Sequence, residues 1–218
     1  MTNPTSCKIK IWGITNLADA RYASGAGADF LGFVQHESSP RFVEPKLAKD
    51  IIVWLYGAQT VGVFVNKPAE EVNRISDLAG FDFVQLHGDE SREYCEWIDR
   101  PIIKVIRVHQ DWTSEELHRA ASPFIDIAEY LLLDTHSKTE YGGTGESFDW
   151  SILKNFDPGL PFFLAGGLNP ENVEEAIRLC DPFGIDASSG IESEPGQKDF
   201  EKIDAFMESA LESGGSDQ

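Results

Sequence analysis

The sequence predicts an α/β protein of one domain, a closed (βα)8 TIM barrel over residues 1–211 followed by a polar tail, 212–218, expected to be disordered. Three observations predict it. Near-continuous apolar runs such as "VGVFV" and "YLLLD" suit strands buried on both faces of a parallel sheet. Such runs alternate with helical segments from one end of the chain to the other. The connections are short, and no Gly-rich dinucleotide fingerprint follows the first strand, which counts against an open nucleotide-binding sheet.

The elements follow in order. Strands are expected at 8–12, 29–34, 60–65, 81–86, 102–108, 130–134, 162–165 and 184–187. The first helix, 17–25, follows "TN", whose side chains suit an N-cap. Helices at 45–56 and 68–78 each begin with Pro, suited to a first turn. Further helices are expected at 91–98, 114–121, 170–179 and 199–211. The sixth connection is irregular: "THSKTEYGGTGESF" is polar and glycine-rich before a short helix near 150–155.

Composition narrows the function. The 218 residues carry 37 Asp+Glu against 18 Lys+Arg, a net charge of −19. Such a surface repels phosphate backbones and anionic membranes, so neither nucleic acid nor a membrane is an expected partner. The excess suits either a strongly solvated surface or a salty cytoplasm that screens self-repulsion. No apolar run is long enough to cross a bilayer, and Met1 to Ser6 lack the features of a signal peptide, so a cytoplasmic location is expected. The cysteines, Cys7, Cys95 and Cys180, have no metal-type spacing and read as free thiols. Cys95 and Cys180 fall on apolar helix positions and are expected in the core.

In such a barrel the chemistry gathers at the C-terminal strand ends. Those ends read Trp12-Gly13, Gln35-His36, Asn66, Gln85 to His87, Arg107, Asp134, Gly166-Gly167 and Ser188 to Gly190. They contain no metal cluster. "LAGGLNPENV" and "DASSGIE" place Gly166, Gly167, Ser189 and Gly190 at the last two strand ends. Backbone N–H groups there can approach an anion closely, so a phosphorylated small molecule is the expected ligand. Asp134 closes an apolar strand, a setting that suits a general acid. Gly142, Gly143 and Gly145 in the sixth connection read as a lid. Arg41 in "SSPRFV" offers a carboxylate clamp, and His87 in "QLHGDE" a hydrogen-bond donor.

With these pieces assembled, the chain resembles the phosphoribosylanthranilate isomerases of tryptophan biosynthesis. The matching stretches are "KIWGITN", "GADFLGFV", "SPRFV", "VGVFVN", "VQLHGDE", "LLDT", "YGGTGESFDW", "LAGGLNPENV" and "DASSGIE". The resemblance implies no metal and no organic cofactor, and an Amadori rearrangement of N-(5-phosphoribosyl)anthranilate to 1-(o-carboxyphenylamino)-1-deoxyribulose 5-phosphate. It implies Asp134 as general acid and Gly166, Gly167, Ser189 and Gly190 as the phosphate loops. Arg41 and Asp186 match residues facing the anthranilate and the reacting amine. Family members occur as monomers and homodimers.

One position departs from the pattern. The family reads "KICGIT", and its cysteine is the general base, whereas here the position is Trp12. An indole has no acid–base capacity at neutral pH. Cys7 is no substitute: it lies on the opposite strand face and roughly 16 Å back along an extended strand. Three readings stay open: another base (Asp134 in both steps, His87, His36 or Asp186), a phosphosugar-binding paralogue without catalysis, or an altered sequence whose neighbours record the parent function. Another phosphosugar isomerase on the same barrel is a rival, although it commonly uses a carboxylate at the first strand end. Trp12 is expected to end its strand at the open mouth rather than within the packed layers.

Overall fold

The computed structural model describes residues 7–135, 149–154 and 156–212. Strands β1 (Lys8–Trp12), β2 (Phe30–Val34), β3 (Gln59–Phe64), β4 (Phe83–Leu86), β5 (Ile102–Val108), β6 (Tyr130–Thr135), β7 (Phe162–Leu164) and β8 (Gly184–Ala187) pair in sequence order. All pairs are parallel, and β8 returns to β1 to close the barrel. The helices are α1 (Leu17–Gly25), α2 (Pro45–Ile52), α3 (Ala69–Ala79), α4 (Arg92–Cys95), α5 (Ser114–Ala121), α6 (Val173–Cys180) and α7 (Phe200–Glu212). Between β6 and β7 the described residues hold only a 3-10 turn, Trp150–Leu153. A hairpin the sequence did not suggest, β9 (Glu192–Glu194) with β10 (Gln197–Lys198), follows β8.

Local chemistry sets these elements. Asn16 caps α1 by accepting the Asp19 N–H at 2.9 Å. Thr113 and Glu116 form a reciprocal capping box at the start of α5. Three helices are shorter than expected, the second ending at Ile52 rather than at residue 56. The fourth shrinks from 91–98 to Arg92–Cys95. The helix expected from Pro170 begins at Val173, because Asn169 first folds the chain back by accepting the N–H of Glu171 at 2.9 Å. The last helix reaches Glu212, and the rest of the expected tail lies outside the described residues, as do lid residues Gly142, Gly143 and Gly145.

Strand parity sorts the side chains. Outward residues such as Ile11, Leu31, Val84, Leu133 and Ile185 are fully buried against Ile51, Val72, Leu117 and Phe206 of the helical ring. Cys95 and Cys180 belong to this core, as the sequence suggests. Inward residues at the N-terminal end form an aromatic box. Phe163 packs edge-on against Phe30 at 5.3 Å and against Phe183 at 5.4 Å, and Tyr130 also lies at 5.4 Å. Toward the C-terminal ends the interior turns polar, with Lys10, Gln85, His87, Asp134 and Asp186 all buried.

Phe163 is the hub of the box, so Phe163→Ala is expected to destabilise the protein by about 3–5 kcal/mol. Urea unfolding at neutral pH would measure this, and a midpoint within error of the parent would show that the box does not support the barrel.

Candidate active site

The strand ends bring the expected residues to one face, in an arrangement tighter than the sequence suggests. Trp12 does not sit at an open mouth. It is only 6% exposed, because the ring folds inward between its neighbours. The indole centroid lies 6.0 Å from the His87 ring, and the Arg41 guanidinium carbon stands 5.7 Å over its face.

β6 runs one residue further than expected, to Thr135, and Asp134, its penultimate residue, shares a cavity with Trp12. Its Oδ1 accepts the Thr135 N–H at 2.8 Å, and its Oδ2 lies 3.3 Å from His87 Nε2. That contact is close without being aligned, since His87 Nε2 makes no hydrogen bond. Gln85 Nε2 meets the other ring nitrogen, Nδ1, at 3.0 Å. An amide donor at Nδ1 leaves the ring hydrogen on Nε2, directed toward the carboxylate side.

Asp186 lies on β8 directly across the ladder from Lys10. Lys10 Nζ donates to Asp186 Oδ2 at 2.8 Å, and both side chains are buried. Burial pushes the Asp186 carboxyl up to about 6, against the opposing pull of the Lys10 charge. Burial likewise lowers Lys10, with Asp186 resisting. Sequence reasoning missed Lys10, although "KIKIW" places it on the inward parity with Trp12.

Arg41 was expected to clamp a ligand carboxylate, but most of its fork is already engaged. Its Nε and Nη2 donate to Glu192, the latter at 2.7 Å. Lys198 Nζ donates to the same carboxylate at 2.9 Å and to the Ser188 carbonyl at 3.3 Å. Burial pushes Glu192 up, yet the Arg41 and Lys198 contacts outweigh it and hold the carboxyl below its ordinary value. Burial lowers Lys198 to about 8 in spite of Glu192. This buried cluster fastens the β2–α2 loop to the β8 loop, and neither Glu192 nor Lys198 was singled out from sequence.

The two small-residue loops meet. Gly166 and Gly167 take positive φ values of 89° and 68°, which side chains disfavour, and the Gly167 carbonyl accepts from Asn172 Nδ2 at 2.9 Å. Gly190 touches the neighbouring loop so closely that a Cβ there would fall 2.0 Å from the Leu168 carbonyl oxygen. The helix expected directly behind Gly167 starts only at Val173, so the loop's own N–H groups carry any anion contact. A 3-10 turn, Ser189–Ile191, lies behind the second loop. Between the loops Trp12, Asp134, Asp186 and Ser188 line a cavity of about 20 Å³. That is room for roughly one water, far below a ligand pocket.

The remaining candidates lie apart. His36 is outside this cluster, with Nε2 2.6 Å from Ser38 Oγ. Cys7 faces away from the interior, and burial pushes its thiol up to about 12. Among the described residues no group of His, Cys, Asp and Glu is placed to hold a metal ion, and no helix is long and apolar enough to cross a membrane.

A closed parallel barrel with an acid, a histidine and two glycine-bearing loops at its C-terminal face defines the class: a βα-barrel of the enzyme type. The particular family follows from comparison with known proteins. The family profile described as N-(5'-phosphoribosyl)anthranilate (PRA) isomerase matches residues 9–209, and the chain belongs to that family. An N-(5'-phosphoribosyl)anthranilate isomerase of Geobacter metallireducens is 46% identical over 204 residues, covering 93% of this chain and 98% of the relative. The Aquifex aeolicus protein of the same name is 43% identical, covering 92% and 96%. The crystal structure of the Thermotoga maritima isomerase superposes with a TM-score of 0.85 at 37% identity, covering 94% of this chain and 98% of that one. Another isomerase structure, in complex with reduced 1-(o-carboxyphenylamino)-1-deoxyribulose 5-phosphate, gives a TM-score of 0.82 at 37% identity, with the same coverage.

Gly190→Ala would drive a methyl group into the Leu168 backbone and force the two loops apart. Overpacking of this kind costs about 1–3 kcal/mol. Thermal unfolding together with inorganic phosphate binding would test it. Unchanged stability would show that the loops part freely.

Proposed function

We propose that this chain is a phosphoribosylanthranilate isomerase of tryptophan biosynthesis, acting in the cytoplasm on N-(5-phosphoribosyl)anthranilate. The observation that carries the proposal is convergence. Asp134 and the Gly166-Gly167 and Ser188-Ser189 loops line one cavity. In the proposed reaction Asp134 protonates the ribose ring oxygen as the C1–O bond breaks, and the nitrogen lone pair forms the Schiff base. Loss of the C2 proton then gives an enolamine that tautomerises to the ketone. Backbone N–H groups of Gly167, Ser189 and Gly190 hold the phosphate. Arg41 serves as a partial clamp, since Nη1 alone makes no hydrogen bond among the described residues while Nε and Nη2 stay with Glu192. His87 Nε2 lies 3.3 Å from the acid's Oδ2, close enough to donate to it after a small rotation.

Trp12 sets the condition for turnover. With a cavity of about 20 Å³, the substrate enters only if the indole swings out of the mouth. That same observation favours a second reading, a phosphate-binding barrel whose own side chain fills the aromatic part of the pocket. Offset stacking of indole on anthranilate, at about 0.5–1.5 kcal/mol, opposes that occlusion once the ring has moved.

Two substitutions test the proposal. Trp12→Cys removes the plug and restores a thiol with an unperturbed pKa near 8.5. It is expected to raise turnover of phosphoribosylanthranilate strongly, with little change in phosphate affinity. Ligand binding without turnover in either protein would leave the binding-only reading standing. Asp134→Asn keeps shape and removes the titratable proton, so turnover is expected to fall at least about 100-fold with the fold intact. A rate equal to the parent would take the acid role away from Asp134.

A further inference from the structure

The proposed reaction needs a group to remove the C2 proton, and the residues around Trp12 narrow the choice. The Arg41 guanidinium has no lone pair to offer. His87 Nδ1 faces the Gln85 amide nitrogen at 3.0 Å, and with that amide as donor the ring hydrogen sits on Nε2, which then has no lone pair to accept a proton. His36 is half-buried beside Ser38 and does not line the cavity. Asp134 is committed to the ring oxygen.

Asp186 remains. Its Oδ2 is fixed by Lys10 at 2.8 Å, whereas its Oδ1 is buried with no hydrogen-bond partner. A buried carboxylate oxygen without a partner calls for an explanation, because such atoms are normally satisfied. Asp186 also lines the same cavity as Asp134 and Trp12, so the two carboxylate residues border one space.

We infer that Asp186 is the general base of this chain, accepting the C2 proton on Oδ1 while Lys10 holds Oδ2 in place. The inference rests on the isomerase reading. In the Schiff base, Asp186 takes the C2 proton as the C2–H electron pair forms the C1–C2 double bond. The C1–N π pair returns to nitrogen. As the enolamine becomes the ketone, Asp186 gives its proton to C1, and the C2 hydroxyl proton returns to the Asp134 carboxylate. Both groups recover their starting forms, and no co-reactant is consumed.

The charged surroundings suit the role. Burial raises Asp186 most, Lys10 on β1 opposes, Asp134 on β6 adds to the rise and His87 beside β4 counters it, leaving the group near 6. It is therefore ionised at neutral pH yet basic enough for proton transfer. Turnover should fall as the pH drops through about 6, where Asp186 becomes protonated.

The test uses Asp186→Asn with Trp12 in place and, separately, in the Trp12→Cys protein. Substrate carries deuterium at C2, and reduced 1-(o-carboxyphenylamino)-1-deoxyribulose 5-phosphate serves as the binding probe. With Trp12 present, Asp186→Asn should lower turnover about 100-fold, remove the limb near pH 6 and retain probe binding. In the cysteine protein the loss should be markedly smaller. The parent should carry part of the deuterium to C1, as a shuttling carboxylate does. Should the single variant fail to fold around an unpaired Lys10, Lys10→Met with Asp186→Asn removes both charges and the same rates are read. Equal losses in both backgrounds would make Asp186 structural. No loss with Trp12 present, or no turnover by the parent while Trp12→Cys is active, would overturn the assignment. The isomerase reading itself fails only if the cysteine protein is also inactive.

Discussion

Closure of eight parallel strands on themselves is the constraint from which the rest follows. Once β8 pairs with β1, each strand has a neighbour on both sides, and alternate side chains are forced into a shared interior. That interior is too narrow for indifference. At its N-terminal end it is filled by aromatic rings packed edge to face, which need no polar partner. At its C-terminal end the inward side chains are mostly polar, with Lys10, Gln85, His87, Asp134 and Asp186 buried around Trp12.

The pairing there is ionic. Lys10 with Asp186, and Arg41 with Glu192 and Lys198, are buried charges whose desolvation offsets much of their attraction. They are poor sources of net stability and effective devices for fixing geometry, because a buried charge tolerates no second position. Lys104 with Glu90 repeats the device on the outer side of β5, where Lys104 also donates to the Gly88 carbonyl at 2.9 Å. The loops of the site are thus held by charge at their bases and left small at their tips.

Much of the fold was legible because parallel strands buried on both faces read as apolar runs, and all eight were found in order. Their ends were less so. The fourth strand begins at Phe83 rather than residue 81, since Phe81 turns outward to pack 5.9 Å from Phe33 and 6.4 Å from Phe64. The strand-end residues Asp134, Gly166, Gly167 and Ser189 could be picked out because the barrel tells where to look. The pairings of Lys10 and Glu192 could not, since Lys10 meets its partner 176 positions away and Glu192 meets Arg41 across 151. Local pattern carries no trace of such pairs. Nor could it tell that Trp12, read as a mouth residue, folds inward against His87 and Arg41.

The seam between β1 and β8 also has a history within each molecule. During synthesis β1 is made first, and its ladder partner arrives only with Gly184–Ala187. Until then the growing sheet has two bare edges, each a template for pairing with another chain. The hairpin that follows completes the join, with Lys198 N–H reaching back to Asp19 at 2.9 Å and the Gly196 carbonyl to Thr15 at 2.6 Å. A nascent chain in this state benefits from repelling its neighbours. The large excess of Asp and Glu along the chain supplies like-charge repulsion before any folded surface exists.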